Sequence, residues 1–265
     1  MEVLLDQKKI EELILALIPV SRDAGNAILE VYNRPDFGIV NKEDQSPLTE
    51  ADLASNKIIC DALKGLSPEI PIISEENTET SFEERATWEY CWVVDPLDGT
   101  KEFIKRNGEF TTNIGLVHKH EVIAGVVFVP EKDLMYYAIK GEGAFMIQNG
   151  QTRQLTSNAF NREEEGLKVV CSRSHLNDKT QEFVDGLTNP ELVSRGSSLK
   201  FLTIAQGNAD LYPRMAPTME WDTCAAQIIL EEAGGSVTVD GTNEALKYNK
   251  ENLLNPFFLA KGNEV

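Results

Sequence analysis

Asp95 and Asp98 stand three positions apart in "WVVDPLDGTKEF", directly after the apolar run Trp92–Val94. Pro96 between them removes a backbone donor and fixes its own φ, while Gly99 permits a tight turn that folds Asp98 back towards Asp95. Carboxylates held that close repel each other, so at neutral pH they need a shared proton, a basic partner or a cation. The plainer alternative is an Asx-turn, in which the side chains only bond their neighbouring backbone. Hard cations such as Mg²⁺ take oxygen ligands, and the Leu97 carbonyl is a further oxygen on the same turn. Other acidic positions extend the pattern. Glu75 and Glu76 follow an apolar run in "IISEEN", Asp52 lies in the first turn of a helical stretch, and Asp222 precedes "TCAAQIILEEAGG". Each has an ordinary reading as surface charge, capping-box half or helix N-terminal acid. Together they point to a cation site.

Something must carry these groups to one place. Ile10, Leu13, Ile14, Leu17, Ala24, Ile28 and Val31 recur at helical spacing over residues 8–32, a helix that Pro19 is expected to kink or divide. Residues 35–48 are polar and proline-bounded, which suggests a loop or hairpin. A second helix is expected from Thr49 as N-cap, with Asp52 three residues on. Strands are expected near residues 70–74, 90–95, 112–118, 122–130 and 134–139, with the stretch 112–148 forming an antiparallel meander. After residue 155 strands near 167–171 and 209–212 alternate with helices near 179–187, 199–206 and 222–233, the last stopped by Gly234 and Gly235. The expectation is an α+β N-terminal lobe (1–155) and an α/β C-terminal lobe (156–265), sharing one long interface.

Composition narrows the function classes. A chain of 265 residues that is 42% hydrophobic has enough apolar surface for a large core. The net charge of −18 opposes nonspecific nucleic-acid binding, which depends on lysine and arginine meeting phosphates. No basic-then-apolar leader opens the sequence, and the apolar stretch Ile14–Val20 is too short to span a bilayer. Cys60, Cys91, Cys171 and Cys224 form no CxxC pair, so buried free thiols are expected.

"SEE" (74–76), "DPLDGT" (95–100) and "WDTCAA" (221–226) resemble, in order and spacing, the metal-site motifs of the inositol-monophosphatase superfamily of Mg²⁺-dependent phosphatases. "DPLDGTKEFIKRNGEFTTNIGLV", "SRSH" (172–175), "GSSLKF" (196–201) and "LYPR" (211–214) resemble its CysQ-type 3′(2′),5′-bisphosphate nucleotidase branch. The resemblance implies a layered αβαβα sandwich of the inositol monophosphatase and fructose-1,6-bisphosphatase type. It implies metal ligation by Glu75, Asp95, the Leu97 carbonyl, Asp98 and Asp222, with two or three Mg²⁺ ions and inhibition by Li⁺. It gives Thr100 and Asp52 the orientation and deprotonation of the attacking water, with Glu75 beside them and Glu76 outside the ligand set. Leu97, Asp98, Gly99, Thr100 and Asp222 also face the reacting phosphate in this reading.

A bisphosphorylated nucleotide brings further negative charge to an acidic protein, and the resemblance places His175, Ser197, Lys200 and Arg214 around the second phosphate and the base. Ser197 and Lys200, three apart at an expected helix start, can share a face. The substrates implied are adenosine 3′,5′-bisphosphate (PAP), cleaved to AMP and phosphate, and its sulfated precursor PAPS, which belongs to sulfur assimilation. No nucleic acid, transmembrane segment or obligatory protein partner is expected. The setting is the cytoplasm, whether free or peripheral at the inner face of the cell membrane. An inositol or sugar monophosphatase with the same metal core is the nearest alternative. A non-catalytic cation-binding protein is the other, and it would need neither Thr100 nor Asp52.

Overall fold

The protein is described from a computed structural model over residues 5–34, 40–41, 47–48, 50–77, 80–171 and 177–265. Helix α1 (Gln7–Tyr32) opens on Asp6, whose carboxylate accepts the Lys9 N–H at 2.8 Å. It runs through Pro19 without a break, so the expected division there does not occur. Pro19 is exposed, and the Leu15 carbonyl that loses its intrahelical donor lies on the solvent side where water can replace it. Strands β1 (Val40–Asn41) and β2 (Pro47–Leu48) then pair antiparallel, ahead of α2 (Glu50–Leu66). Thr49, the expected cap of α2, lies outside the described residues.

The meander is part of a larger sheet. Strands β3 (Ile72–Ser74), β4 (Tyr90–Asp98), β5 (Thr111–His118), β6 (Glu121–Val129), β7 (Leu134–Ile139), β8 (Gly143–Gln148) and β9 (Gln151–Gln154) lie side by side in sequence order. Only the β3–β4 pair is parallel. The short helices α3 (Phe82–Arg85) and α4 (Thr100–Ile104) sit in the connections before and after β4. Strand β10 (Ala159–Phe160) pairs in parallel with β16 (Asn263–Glu264) at the chain's end. A second sheet has the order β12 (Glu191–Ser194), β11 (Lys168–Cys171), β13 (Leu211–Arg214), β15 (Phe258–Lys261), β14 (Ser236–Val239). Of these strands, β12, β14 and β15 carry no sequence pattern strong enough to have been expected.

Five layers follow from where the apolar faces go. Helices α1 and α2 cover one face of the large sheet, where Leu13, Leu17 and Ile59 meet Trp92, Val94 and Leu116. Helices α6 (Leu199–Ala205) and α7 (Cys224–Glu232) fill the space between the sheets, with Leu202 and Ile229 among Val93, Val127, Tyr212 and Phe258. Helix α5 (Asp178–Asp185) closes the far side, Val184 packing on Val169 and Leu211. This is an αβαβα sandwich.

The central layer is pressed unusually close to the large sheet. Gly115 and Gly125 are paired across β5 and β6 beneath the first turn of α7. A Cβ at Gly115 would lie 2.4 Å from Cys224 Sγ, and one at Gly125 would lie 2.8 Å from the Ala225 carbonyl oxygen. The absence of both side chains sets the height of α7 above the sheet, and with it the position of Asp222 just upstream. Gly125→Ala should therefore destabilise the fold by about 1–3 kcal/mol through overpacking against backbone. It should also weaken divalent-metal binding. Denaturant unfolding and a calorimetric Mg²⁺ titration of the same variant check both effects.

Candidate active site

Strand β4 does not stop at Asp95 as expected. Its pairing with β5 resumes at Asp98–Thr111 after a register shift, because Pro96 has no N–H to offer the ladder. Asp95 Oδ1 accepts the Leu97 N–H at 3.1 Å, and Ser55 Oγ of α2 donates to the Pro96 carbonyl at 2.7 Å. The turn ends at Gly99, whose φ of +94° favours glycine and whose added Cβ would meet the Glu109 carbonyl at 2.9 Å. Helix α4 then starts at Thr100, whose hydroxyl donates to the Leu97 carbonyl at 3.3 Å.

This bulged turn faces the 3₁₀ turn Glu220–Asp222 that precedes α7. One ligand oxygen each from Asp95, Asp98 and Asp222 falls within 4.8 Å of the others. Asp95 is buried, and its carboxyl is pushed well above the ordinary carboxylate range. Burial is the main cause, and Glu75, Asp98, Asp222 and Asp52 add repulsion. Asp222 is pushed up to about 7 by burial and by Asp98, against the opposing effects of the Met219 N–H and Arg214. Such a set of oxygen donors, with Asp95 and Asp222 disfavoured as anions by burial and by their neighbours, suits a hard divalent cation. A cation reverses the penalty.

Two carboxylates are held by other hydrogen bonds. Asp98 Oδ2 accepts from Ser197 Oγ at 2.6 Å, from the Ser198 N–H at 2.7 Å and from Ser198 Oγ at 2.9 Å. Ser197 adopts a φ of +49°, and Thr111 Oγ1 lies 2.7 Å from its hydroxyl. Asp222 Oδ2 accepts the Met219 N–H at 2.8 Å. Beneath it, fully buried Glu220 accepts from Lys250 Nζ at 2.5 Å and from the N–H groups of Asn249 and Lys250. That clamp ties the turn carrying Asp222 to the 247–255 segment.

A cavity of about 190 Å³ opens beside the carboxylates, with Asp98, Gly99 and Asp222 in its lining. Arg195, Lys200 and Arg214 line it as well. Lys200 is only 8% exposed, its Nζ donating to the Ser197 carbonyl at 2.9 Å and lying 5.6 Å from the Tyr212 ring centre. Arg214 donates through Nη2 to the Pro217 carbonyl at 2.9 Å, and its buried Nε has no hydrogen-bond partner. Among the described residues no carboxylate lies within ion-pair distance of Lys200 or Arg214. Burying a cation without an anion is expensive, so these groups suit an anionic ligand.

The sequence-derived residues that lie among the described ones gather around one cleft. Asp95, Leu97, Asp98, Gly99, Thr100 and Asp222 meet directly at the two turns. Asp52, buried in the first turn of α2, and Glu75, just past β3, stand close enough to raise the Asp95 carboxyl. Lys200 and Arg214 share the cavity, Ser197 is turned towards Asp98, and His175 lies outside the described residues. Sequence reasoning missed Ser198, which gives Asp98 two of its three hydrogen bonds. It also missed Glu109, whose Oε2 accepts the Gly196 N–H at 2.8 Å, and Arg195. Ser198 lies inside "GSSLKF", where a serine before a helical run is itself a cap signal. Glu109 and Arg195 carry no local signal.

The raised carboxyls set the sign of a pH effect. Both folded values lie above the unfolded one, so the native state binds more protons between roughly pH 4 and 7. Metal-free stability should therefore fall as pH rises through that window. Asp95→Asn keeps the acceptor for Leu97 and removes the charge. At pH 8 without metal it should raise Tm by about 2–8 °C, from ~1–2 kcal/mol in a chain of this size. The gain should vanish near pH 4. A variant less stable than the parent at pH 8, measured by calorimetry in chelator, would contradict the repulsion.

The profile of the Inositol monophosphatase family matches residues 9–261. The 3′(2′),5′-bisphosphate nucleotidase CysQ of Salmonella typhimurium is 43% identical over 241 residues, covering 90% of this chain and 95% of that protein. The protein of the same description from Escherichia coli K12 is 42% identical with the same coverage. Among solved structures, CysQ from Bacteroides thetaiotaomicron superimposes with a TM-score of 0.83 at 38% identity, covering 96% of this chain and 98% of that one. An inositol monophosphatase from Thermotoga maritima gives 0.75 at 26% identity, over 93% and 90%. With a family profile spanning nearly the whole chain, relatives at 42–43% identity and a shared layered fold, the chain belongs to the inositol monophosphatase family, alongside the CysQ-type nucleotidases.

Proposed function

We propose that the chain is a Mg²⁺-dependent phosphomonoesterase that hydrolyses the 3′-phosphate of PAP to AMP and phosphate. The observation that carries this reading is a carboxylate-rich wall of one small cavity that is also lined by Lys200 and Arg214, two cations with no carboxylate partner among the described residues. A monophosphate needs only the first wall. The names of the CysQ relatives support the same substrate class. PAPS is proposed as a second substrate, which would place the enzyme in sulfur assimilation. The reading carries with it a cytoplasmic setting; among the described residues no helix is long and apolar enough to cross a membrane.

In this proposal Glu75, Asp95, the Leu97 carbonyl, Asp98 and Asp222 would hold two or three Mg²⁺ ions, with one exchangeable for Li⁺. Bound divalent ions supply neutralisation of phosphoryl charge and acidification of water. The chain's own groups then have separate tasks. Thr100, fixed at the start of α4, and Asp52 orient the attacking water and receive its proton, a contribution of about 10²–10⁴ in rate. The serine hydroxyls on Asp98 hold its free oxygen in one direction, which is positioning rather than chemistry. Residues 1–155, the N-terminal lobe of this reading, carry most of the metal ligands. Residues 156–265 supply Asp222 and the nucleotide contacts, including Lys200, Arg214 and His175.

A phosphate-release assay with PAP, inositol 1-phosphate and fructose 1,6-bisphosphate tests the substrate class, and PAP should be turned over best. Lys200→Ala or Arg214→Ala should then lose about 1.5–3 kcal/mol on PAP, roughly 10- to 150-fold in kcat/KM. 3′-AMP, which lacks the second phosphate, should lose far less. Equal losses on the two substrates would reduce these residues to supports of the fold and favour the monophosphatase reading.

A further inference from the structure

Arg195 enters the cavity from a third element. It follows the last residue of β12, whereas Lys200 belongs to α6 and Arg214 to β13. Its Nη1 donates to the Ser194 carbonyl at 2.9 Å, and among the described residues no carboxylate lies within ion-pair distance. In a chain with 43 acidic and 25 basic side chains, a basic group easily finds an acidic one. Three that find none among the described residues, around one cavity, mark a place kept for an external anion. Glu102 also lines the cavity, so the anion must sit nearer the cations than that carboxylate.

The backbone that launches Arg195 is fixed on both sides. The Arg195 N–H donates to the Cys171 carbonyl at 3.2 Å, and the next N–H, of Gly196, goes to Glu109 Oε2 at 2.8 Å. At Gly196 a Cβ would lie 2.7 Å from Glu102 Cγ and 3.1 Å from the Glu109 carbonyl oxygen, so the chain packs there without room for a side chain. Such a held backbone lowers the ordering needed when a ligand arrives. With one Nη on Ser194, the guanidinium keeps further N–H donors in its planar fork, a geometry that matches two oxygens of a phosphate or phosphosulfate.

We propose that Arg195 is a specificity-determining residue that holds the non-reacting anionic group of the substrate together with Lys200 and Arg214. It selects nucleotides with a second phosphate over singly phosphorylated ones. The inference rests on the proposed reading that Lys200 and Arg214 face that group.

The test uses 5′-AMP, which carries only the non-reacting phosphate, and adenosine, which carries none. Their dissociation constants are measured by calorimetry for wild type, Arg195→Ala, Arg195→Lys and Lys200→Ala at fixed Mg²⁺ and ionic strength. Steady-state kinetics follow with PAP and 3′-AMP. Arg195→Ala should weaken 5′-AMP by about tenfold or more, with little change for adenosine. Its kcat/KM should fall on PAP by several times the loss on 3′-AMP, chiefly through KM, and Arg195→Lys should recover part of it. Loss of 5′-AMP binding in Lys200→Ala but not in Arg195→Ala would overturn the role of Arg195 and leave the wider reading standing. No selective loss in either variant would overturn both. Equal losses by Arg195→Ala on PAP and 3′-AMP would make Arg195 a support of the fold.

Discussion

Mutual repulsion among three converging carboxylates is the constraint around which this structure is arranged. Asp95, Asp98 and Asp222 come from two turns that lie 124 residues apart in the sequence, from Asp98 to Asp222. Left to themselves, anions this close would separate or take up protons, and the Asp95 and Asp222 carboxyls are raised first by their burial and then by this repulsion. The fold must hold the groups together without metal, so that binding a cation needs little rearrangement.

Several independent contacts do this. The bulge at Pro96 frees Asp98 from the strand, and the Ser197–Ser198 pair catches it with three hydrogen bonds. The facing glycines Gly115 and Gly125 let α7 settle onto the sheet, and the buried Glu220–Lys250 pair anchors the turn that carries Asp222. Removing one partner of such a buried pair would leave the other charge uncompensated, which makes the clamp strict even where its net contribution to stability is small. The same arrangement brings anionic and cationic groups to one small cavity. Asp98 and Lys200 are linked through Ser197, whose hydroxyl serves one and whose carbonyl serves the other.

Much of the site was legible in the sequence because its chemistry is local. "DPLDGT" carries two acids, a proline and a glycine within six residues, and each has a physical role that can be read without the fold. The acids at 52, 75 and 222 were grouped with that turn from their type and setting, but their separate roles came only through the family resemblance, and the five-layer sandwich came from the same source rather than from periodicity. What periodicity gave well were α1, α2 and the long strands. It overstated Pro19, since an exposed position lets water replace a lost hydrogen bond. It missed β12, β14 and β15, which are four residues each. Gly125, Glu109 and Arg195 were illegible for one reason: their roles depend on contacts with segments far away in sequence, which no local pattern encodes.

The central claim is that the carboxylate cluster exists to hold divalent cations for phosphate-ester hydrolysis. Phosphate release from PAP after exhaustive chelation, followed by graded return of Mg²⁺, tests it most directly. The account predicts no turnover above background without the ion and full recovery on its return, with less Mg²⁺ needed at pH 8 than at pH 6 because Asp222 must lose its proton. Turnover that survives chelation undiminished would contradict it.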